Sequence, residues 1–175
     1  MSPVVPHDPR WAGRYAEAAT RIGAALAPVP IVLHHIGSTA VPGIMAKPII
    51  DMLGEVESLV ALDAVSRQLV AIGFEAKGEY GIAGRRYFRR NEGKARSHHL
   101  HIFATGAPPI ARHLAFRDYL VAHPHVAAAY SALKAGLHAA GYQDAKGPFI
   151  AATLADALAW AQAQRLNQSA LSPRA

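Results

Sequence analysis

His34-His35-Ile36-Gly37-Ser38-Thr39, followed beyond Val41-Pro42-Gly43 by Lys47-Pro48-Ile49-Ile50-Asp51-Met52-Leu53, is the stretch that decides how this chain is read. Residues 31–36 form a β-branched run that reads as a strand, and Lys47-Pro48 opens a second strand over 49–53. Between them, Gly37 at a strand end lets the backbone approach an anion closely. The exposed N–H groups of such a turn, with the hydroxyls of Ser38 and Thr39 and the neighbouring His35, make a candidate phosphate cradle. A Gly-Ser pair also makes ordinary turns, so the motif by itself carries modest weight. Asp51 is the sharper signal. It interrupts a run otherwise fit for burial on both faces, and an ionised carboxylate there is costly unless something pairs with it. Its partner is expected to be a metal ion or a base such as Lys47 or Arg86; the bland alternative is a salt bridge that locks the sheet.

Outward from this stretch, Ser97-His98-His99-Leu100-His101-Ile102-Phe103 alternates as a strand does. His99 and His101 then share one face, and His98, Leu100 and Ile102 the other. Two imidazoles two residues apart can chelate a divalent ion or bind phosphate. With Asp51 on an adjacent strand, Asp51, His99 and His101 make a candidate metal and catalytic set; against it stands the common case of a core imidazole bonded to a carbonyl. Gly84-Arg85-Arg86-Tyr87-Phe88 offers guanidinium forks for phosphate and an aromatic for stacking, or simply a solvated hairpin. In Phe116-Arg117-Asp118-Tyr119-Leu120, Phe116 and Leu120 are expected to face the core. Arg117 or Asp118 then points toward the site, with Lys134 further along, or the two form a surface ion pair.

The remaining elements complete the outline. Asp8 with Pro9 starts a helix whose apolar positions, Trp11, Tyr15, Ala18, Ile22 and Leu26, are spaced by three and four until Pro28 and Pro30 end it. A helix is expected over 59–72, stopped by Gly73, then strands over 74–80 and 87–90 and a polar turn over 91–94. The last third reads as helices over 110–122, 124–139 and 146–164. Strands in the centre and helices at the ends predict an α+β fold: one small mixed β-sheet flanked by helices, with a helical C-terminal third. Residues 1–165 are expected to form a single domain and 166–175 a frayed polar tail.

Composition narrows the chemistry. The chain has 175 residues, half of them apolar, with no cysteine, so disulfides and thiolate metal sites are excluded. The formal charge of +6 suits an anionic ligand, although an Arg-favouring genome gives the same excess. No Lys/Arg run exceeds two residues, which argues against a nucleic-acid-binding arm. The first ten residues lack a signal-peptide pattern and no apolar run approaches a bilayer span, so a cytoplasmic protein without membrane contact is expected.

Taken together, HDPRW at 7–11, HHIGSTAVPGIMAKPIIDML at 34–53, GIAGRRYFRR at 81–90, HHLHIF at 98–103 and HLAFRDYLVAHPHVAAAYSALK at 113–134 resemble the GrpB family, a branch of the nucleotidyltransferase superfamily. The resemblance extends to about residue 165. It implies a nucleotidyltransferase-like fold in which Gly37-Ser38 match the phosphate-holding turn and Asp51 matches the first metal-binding carboxylate. The superfamily pattern places a second carboxylate two residues on, at Leu53, and a third on the strand that here carries His99 and His101. It thus implies a divalent ion, Mg or Mn, held by Asp51 with His99 or His101. Together with the residues singled out above, a nucleotide or phosphorylated small molecule is expected to be bound by His35, Gly37, Ser38, Thr39, Lys47, Arg85, Arg86, Tyr87, Arg117 and Lys134. Two outcomes follow: transfer of a nucleotidyl or phosphoryl group, or, since Leu53 stands where a carboxylate belongs, a non-catalytic nucleotide- or anion-binding module on a degenerate nucleotidyltransferase fold.

Overall fold

A computed structural model describes residues 3–136 and 142–171. The described strands are β1 (Val32–Ile36), β2 (Ile50–Val56), β3 (Phe74–Ala76), β4 (Arg86–Glu92) and β5 (Ala95–Ala104), and they form one mixed sheet in the order β1-β2-β5-β4-β3. The β2–β5 pair is parallel and the other pairs are antiparallel. Helices α1 (Arg10–Leu26), α2 (Leu59–Val65) and α3 (Arg67–Ala71) accompany the first half of the chain, and α4 (Pro108–Ala122), α5 (Pro124–Gly136) and α6 (Tyr142–Leu171) the second. The expected α+β class and the helical C-terminal third are both observed.

Alternation along the strands separates two packing layers. Ile50, Met52, Leu100, Ile102 and Phe88 point to one face and pack with Trp11, Ala18, Ile22 and Leu26 of α1, Leu62 of α2 and Leu69 of α3. The opposite face carries Ile36, Leu53 and Phe103 against Ile110 of α4. A third cluster, Val41 and Ile44 with Leu120, Ala127 and Tyr130, ties the segment after β1 to α4 and α5. The side chains of Asp51, His99 and His101 therefore emerge on the α4 face, at the end of the sheet nearest the turn after β1.

Several boundaries differ from expectation for local reasons. The Asp8 carboxylate accepts the Arg10 N–H at 2.9 Å, so Asp8 does open α1, although the regular helix starts at Arg10. The single helix expected over 59–72 breaks at Ser66, whose hydroxyl donates back to the Asp63 carbonyl at 3.0 Å and competes with the helical pattern. Ser58 caps α2 by accepting the Ala61 N–H at 3.2 Å. The strand expected over 74–80 ends at Ala76, because Gly78 (φ +60°) and Tyr80 (φ +45°) turn the chain. β4 and β5 are longer than expected and meet through an irregularity between Arg90 and Asn91. α4 begins at Pro108, where the two prolines need no helical N–H partner. Part of the stretch expected to extend α5 to 139 lies outside the described residues. α6 runs past both expected limits, so the tail expected to fray from 166 is helical to Leu171; 172–175 lie outside the described residues. No helix among the described residues is long and apolar enough to cross a membrane.

Leu53 is fully buried among Ile36, Phe103 and Ile110. A carboxylate there would have to be desolvated. Leu53→Asp is expected to destabilise the chain by about 3 kcal/mol or more in urea unfolding; unchanged stability with newly gained Mg²⁺ binding would show that the position still accepts a metal ligand.

Candidate functional site

β1 ends at Ile36, which lies opposite Asp51 in the register, so the turn that follows is brought beside the Asp51 carboxylate. Gly37 has φ +69° and ψ −171°, a conformation essentially reserved for glycine. A Cβ on Gly37 would stand 2.6 Å from Asp51 Oδ2. Two independent constraints therefore require glycine here: the backbone angle and the carboxylate packed against it. Ser38–Ala40 then forms a single 3₁₀ turn.

On its other side Asp51 meets β5, where the parallel register places it opposite His99. Asp51 Oδ1 lies 2.8 Å from His99 Nδ1. The carboxylate only accepts, so Nδ1 carries the proton; Arg96 Nη1 lies 3.5 Å from Nε2. His101 lies two residues on, opposite Leu53 rather than Asp51. Its Nδ1 faces Arg85 Nη1 at 3.3 Å, and burial pushes its pKa down to about 4. The two imidazoles do share a face, as the alternation required, with ring centroids 6.5 Å apart at 90°.

The proposed metal set does not form. Among the described residues no three His, Asp or Glu side chains converge as metal ligands. Asp51 is engaged by His99, His101 by Arg85, and the position of the second carboxylate is apolar and buried. The side chains present do not fit a two-metal centre, which needs several oxygen or nitrogen donors around each ion.

These groups instead border a cavity of about 840 Å³ between the sheet and helices α4 and α6. Gly37, Ser38, Thr39, Lys47, Asp51, His99 and His101 line it from the sheet side, and Arg112, His113 and Lys146 from the helices. Among the described lining residues Asp51 is the single carboxylate, and Lys47, Arg112 and Lys146 are the basic side chains. Burial lowers the Lys146 pKa; Asp51's charge opposes that shift and Lys47's adds to it, which places all three within each other's field. Burial likewise lowers the pKa of His113, whose ring lies 5.8 Å from that of His101.

Other expected ligand residues take different roles. His35 projects to the opposite face of the sheet, where it stacks on Tyr15 at 4.8 Å, and its Nε2 meets Thr39 Oγ1 at 3.0 Å. Burial lowers its pKa to about 4. Arg85 is buried and donates to the Glu79 and Tyr80 carbonyls as well as to His101, with its guanidinium 4.9 Å from the Tyr87 ring centre. Arg86 turns away to clamp Asp63 through two 2.7 Å contacts. Tyr87 is buried beneath His99 and His101. Arg117 bonds Asp118 and donates to the His35 carbonyl at 3.0 Å, tying α4 to β1 instead of entering the cavity. Lys134 stands behind Ser38, its Nζ donating to Ser38 Oγ at 2.9 Å and to the Met45 carbonyl. Arg112, His113 and Lys146 were not anticipated. Pro109, Arg112, His113 and Phe116 follow the i, i+3, i+4, i+7 spacing of one helix face, and Lys146, Ile150 and Leu154 follow a spacing of four. Polar and apolar residues share that periodicity, and together they mark both faces.

The family described as GrpB protein matches residues 3–156. Over 147 residues the chain is 46% identical to the UPF0157 protein YqkA of Bacillus subtilis, covering 84% of this chain and 42% of that one. The chain belongs to the GrpB family. Among solved structures, the conserved protein GrpB from Enterococcus faecalis superposes with a TM-score of 0.85 at 38% identity, covering 91% of this chain and 99% of that one. The GrpB chain also shares a fold with the Cid1 poly(U) polymerase, with a TM-score of 0.54 at 15% identity over 75% of this chain and 43% of Cid1. The fold is thus nucleotidyltransferase-like. The chain spans about half the length of two curated relatives, 42% of YqkA and 56% of the UPF0157 protein PA4798 of Pseudomonas aeruginosa.

Gly37→Ala is expected to cost about 1–3 kcal/mol from the backbone angle alone, with the Asp51 contact adding to it. Chemical unfolding measures the loss, and a variant as stable as the native chain would show that the turn and Asp51 can separate freely.

Proposed function

We propose that this GrpB chain binds a nucleotide or another phosphorylated small molecule in the cavity, with side-chain cations rather than a metal pair balancing the phosphate charge. The observation that carries the reading is the basic lining of the cavity: Lys47, Arg112 and Lys146 border it together with the Gly37-Ser38-Thr39 turn. Phosphate oxygens take charge-assisted hydrogen bonds from lysine and arginine. Ser38 of the turn adds a hydroxyl at the same wall.

Lys134 supports the turn from behind. When protonated, its ammonium group only donates, so Ser38 Oγ accepts from it and the Ser38 proton is turned toward another acceptor. A phosphate oxygen in the cavity is such an acceptor. The reading needs no two-metal centre, for which the described residues offer no ligand set.

Calorimetric titration with ATP and with inorganic triphosphate, each in EDTA and in Mg²⁺, tests this. Affinity in EDTA is expected to match or exceed that in Mg²⁺. Replacing Lys47 and Lys146 together by Met is expected to weaken binding at least about tenfold, since each charge-assisted bond is worth about 1.5–3 kcal/mol. Absence of binding under both conditions contradicts the proposal, as does binding that requires Mg²⁺ and disappears in Asp51→Ala.

A further inference from the structure

Lys134 is only 1% exposed. A lysine so deeply buried nearly always has a carboxylate partner. Among the described residues this one has none: its Nζ contacts Ser38 Oγ at 2.9 Å and the Met45 carbonyl, and lies 4.4 Å from the centre of the Tyr130 ring. Burial, reinforced by the charge of Lys146 on α6, pushes its pKa down to about 7. Near neutral pH a large share of molecules therefore holds a neutral amine with a lone pair. In that form the 2.9 Å contact reverses, and the Ser38 hydroxyl donates to Nζ. Ser38 lines the cavity while Lys134 does not, so the base is sheltered behind the hydroxyl it would deprotonate.

We propose that Ser38 and Lys134 form a serine–lysine dyad in which Ser38 Oγ is a nucleophile toward phosphorus and Lys134 is its general base. A hydroxyl next to a neutral, desolvated amine is one of the recurring arrangements that activate serine. In the step, Ser38 Oγ bonds to the phosphorus of a phosphoanhydride while its proton passes to Lys134 Nζ. The bond from phosphorus to the bridging oxygen breaks, and the leaving phosphate departs with that electron pair. Lys47 and Lys146 border the same cavity and balance the charge it carries away. The dyad rests on the proposed function only for the choice of a phosphorus electrophile.

The test treats the full chain with diisopropyl fluorophosphate, in which fluoride is the leaving group, and locates the adduct by peptide mass spectrometry. A single adduct on Ser38 is expected, forming faster as the pH rises through about 7, where Lys134 loses its proton, and levelling off above. Ser38→Ala abolishes the adduct. Lys134→Arg keeps the positive charge but supplies no base, and lowers the rate at least about tenfold. If thermal melting shows Lys134→Arg unfolded, the pH profile of the native chain decides. Inorganic triphosphate is expected to protect Ser38; labelling at Ser38 without protection leaves the dyad standing and removes the phosphate-binding reading instead. The dyad is overturned if the native chain carries no Ser38 adduct by about pH 9, above the amine's shifted range. It is equally overturned if the rate does not change with pH, or if folded Lys134→Arg reacts at the native rate.

Discussion

Asp51 sits on an interior strand with one carboxylate oxygen against the backbone of Gly37 and the other on the Nδ1 proton of His99. The Asp51 side chain is half-buried, and a carboxylate there is favoured by a hydrogen-bond partner, which His99 supplies. The glycine admits the carboxylate because it has no Cβ to exclude it. The imidazole satisfies it because the parallel register between β2 and β5 brings residues 51 and 99 side by side. Most of the cavity's character follows from this contact. The turn is fixed beside Asp51, and His99 directs its Nδ1 proton to the carboxylate.

A committed carboxylate changes how the cavity can handle charge. In a two-metal site, acidic residues gather cations that in turn receive phosphate. Here basic side chains reach the cavity directly, from the segment before β2 and from α4 and α6. The buried Arg85 faces His101 Nδ1 at 3.3 Å, and burial lowers the pKa of that ring. Three of the chain's basic side chains thus meet at this cavity from three separate elements.

Much of this was legible in the sequence. Gly37 at a strand end, a lone carboxylate in an apolar strand, and the alternation that puts His99 and His101 together all follow from periods of two and from the cost of burying charge. Leu53, at the place where the family resemblance puts a second carboxylate, is fully buried among apolar side chains. What failed was pairing. No local pattern says that Arg86 reaches Asp63, that Arg85 is consumed by carbonyls, or that His35 faces the other layer, because each depends on which strands become neighbours and in what register. The helix break at Ser66 turned on one back-bonded hydroxyl. Arg112, His113 and Lys146 carried a readable helical spacing, but polar periodicity signals a site only once the apolar wall beside it is known.

The most direct measurement of the central claim is a crystal structure of the chain grown with inorganic triphosphate and Mg²⁺. The expected result is phosphate at Ser38, Lys47 and Lys146 with the Asp51–His99 hydrogen bond intact. A magnesium ion seated on the Asp51 carboxylate, with His99 swung away from it, would contradict the account.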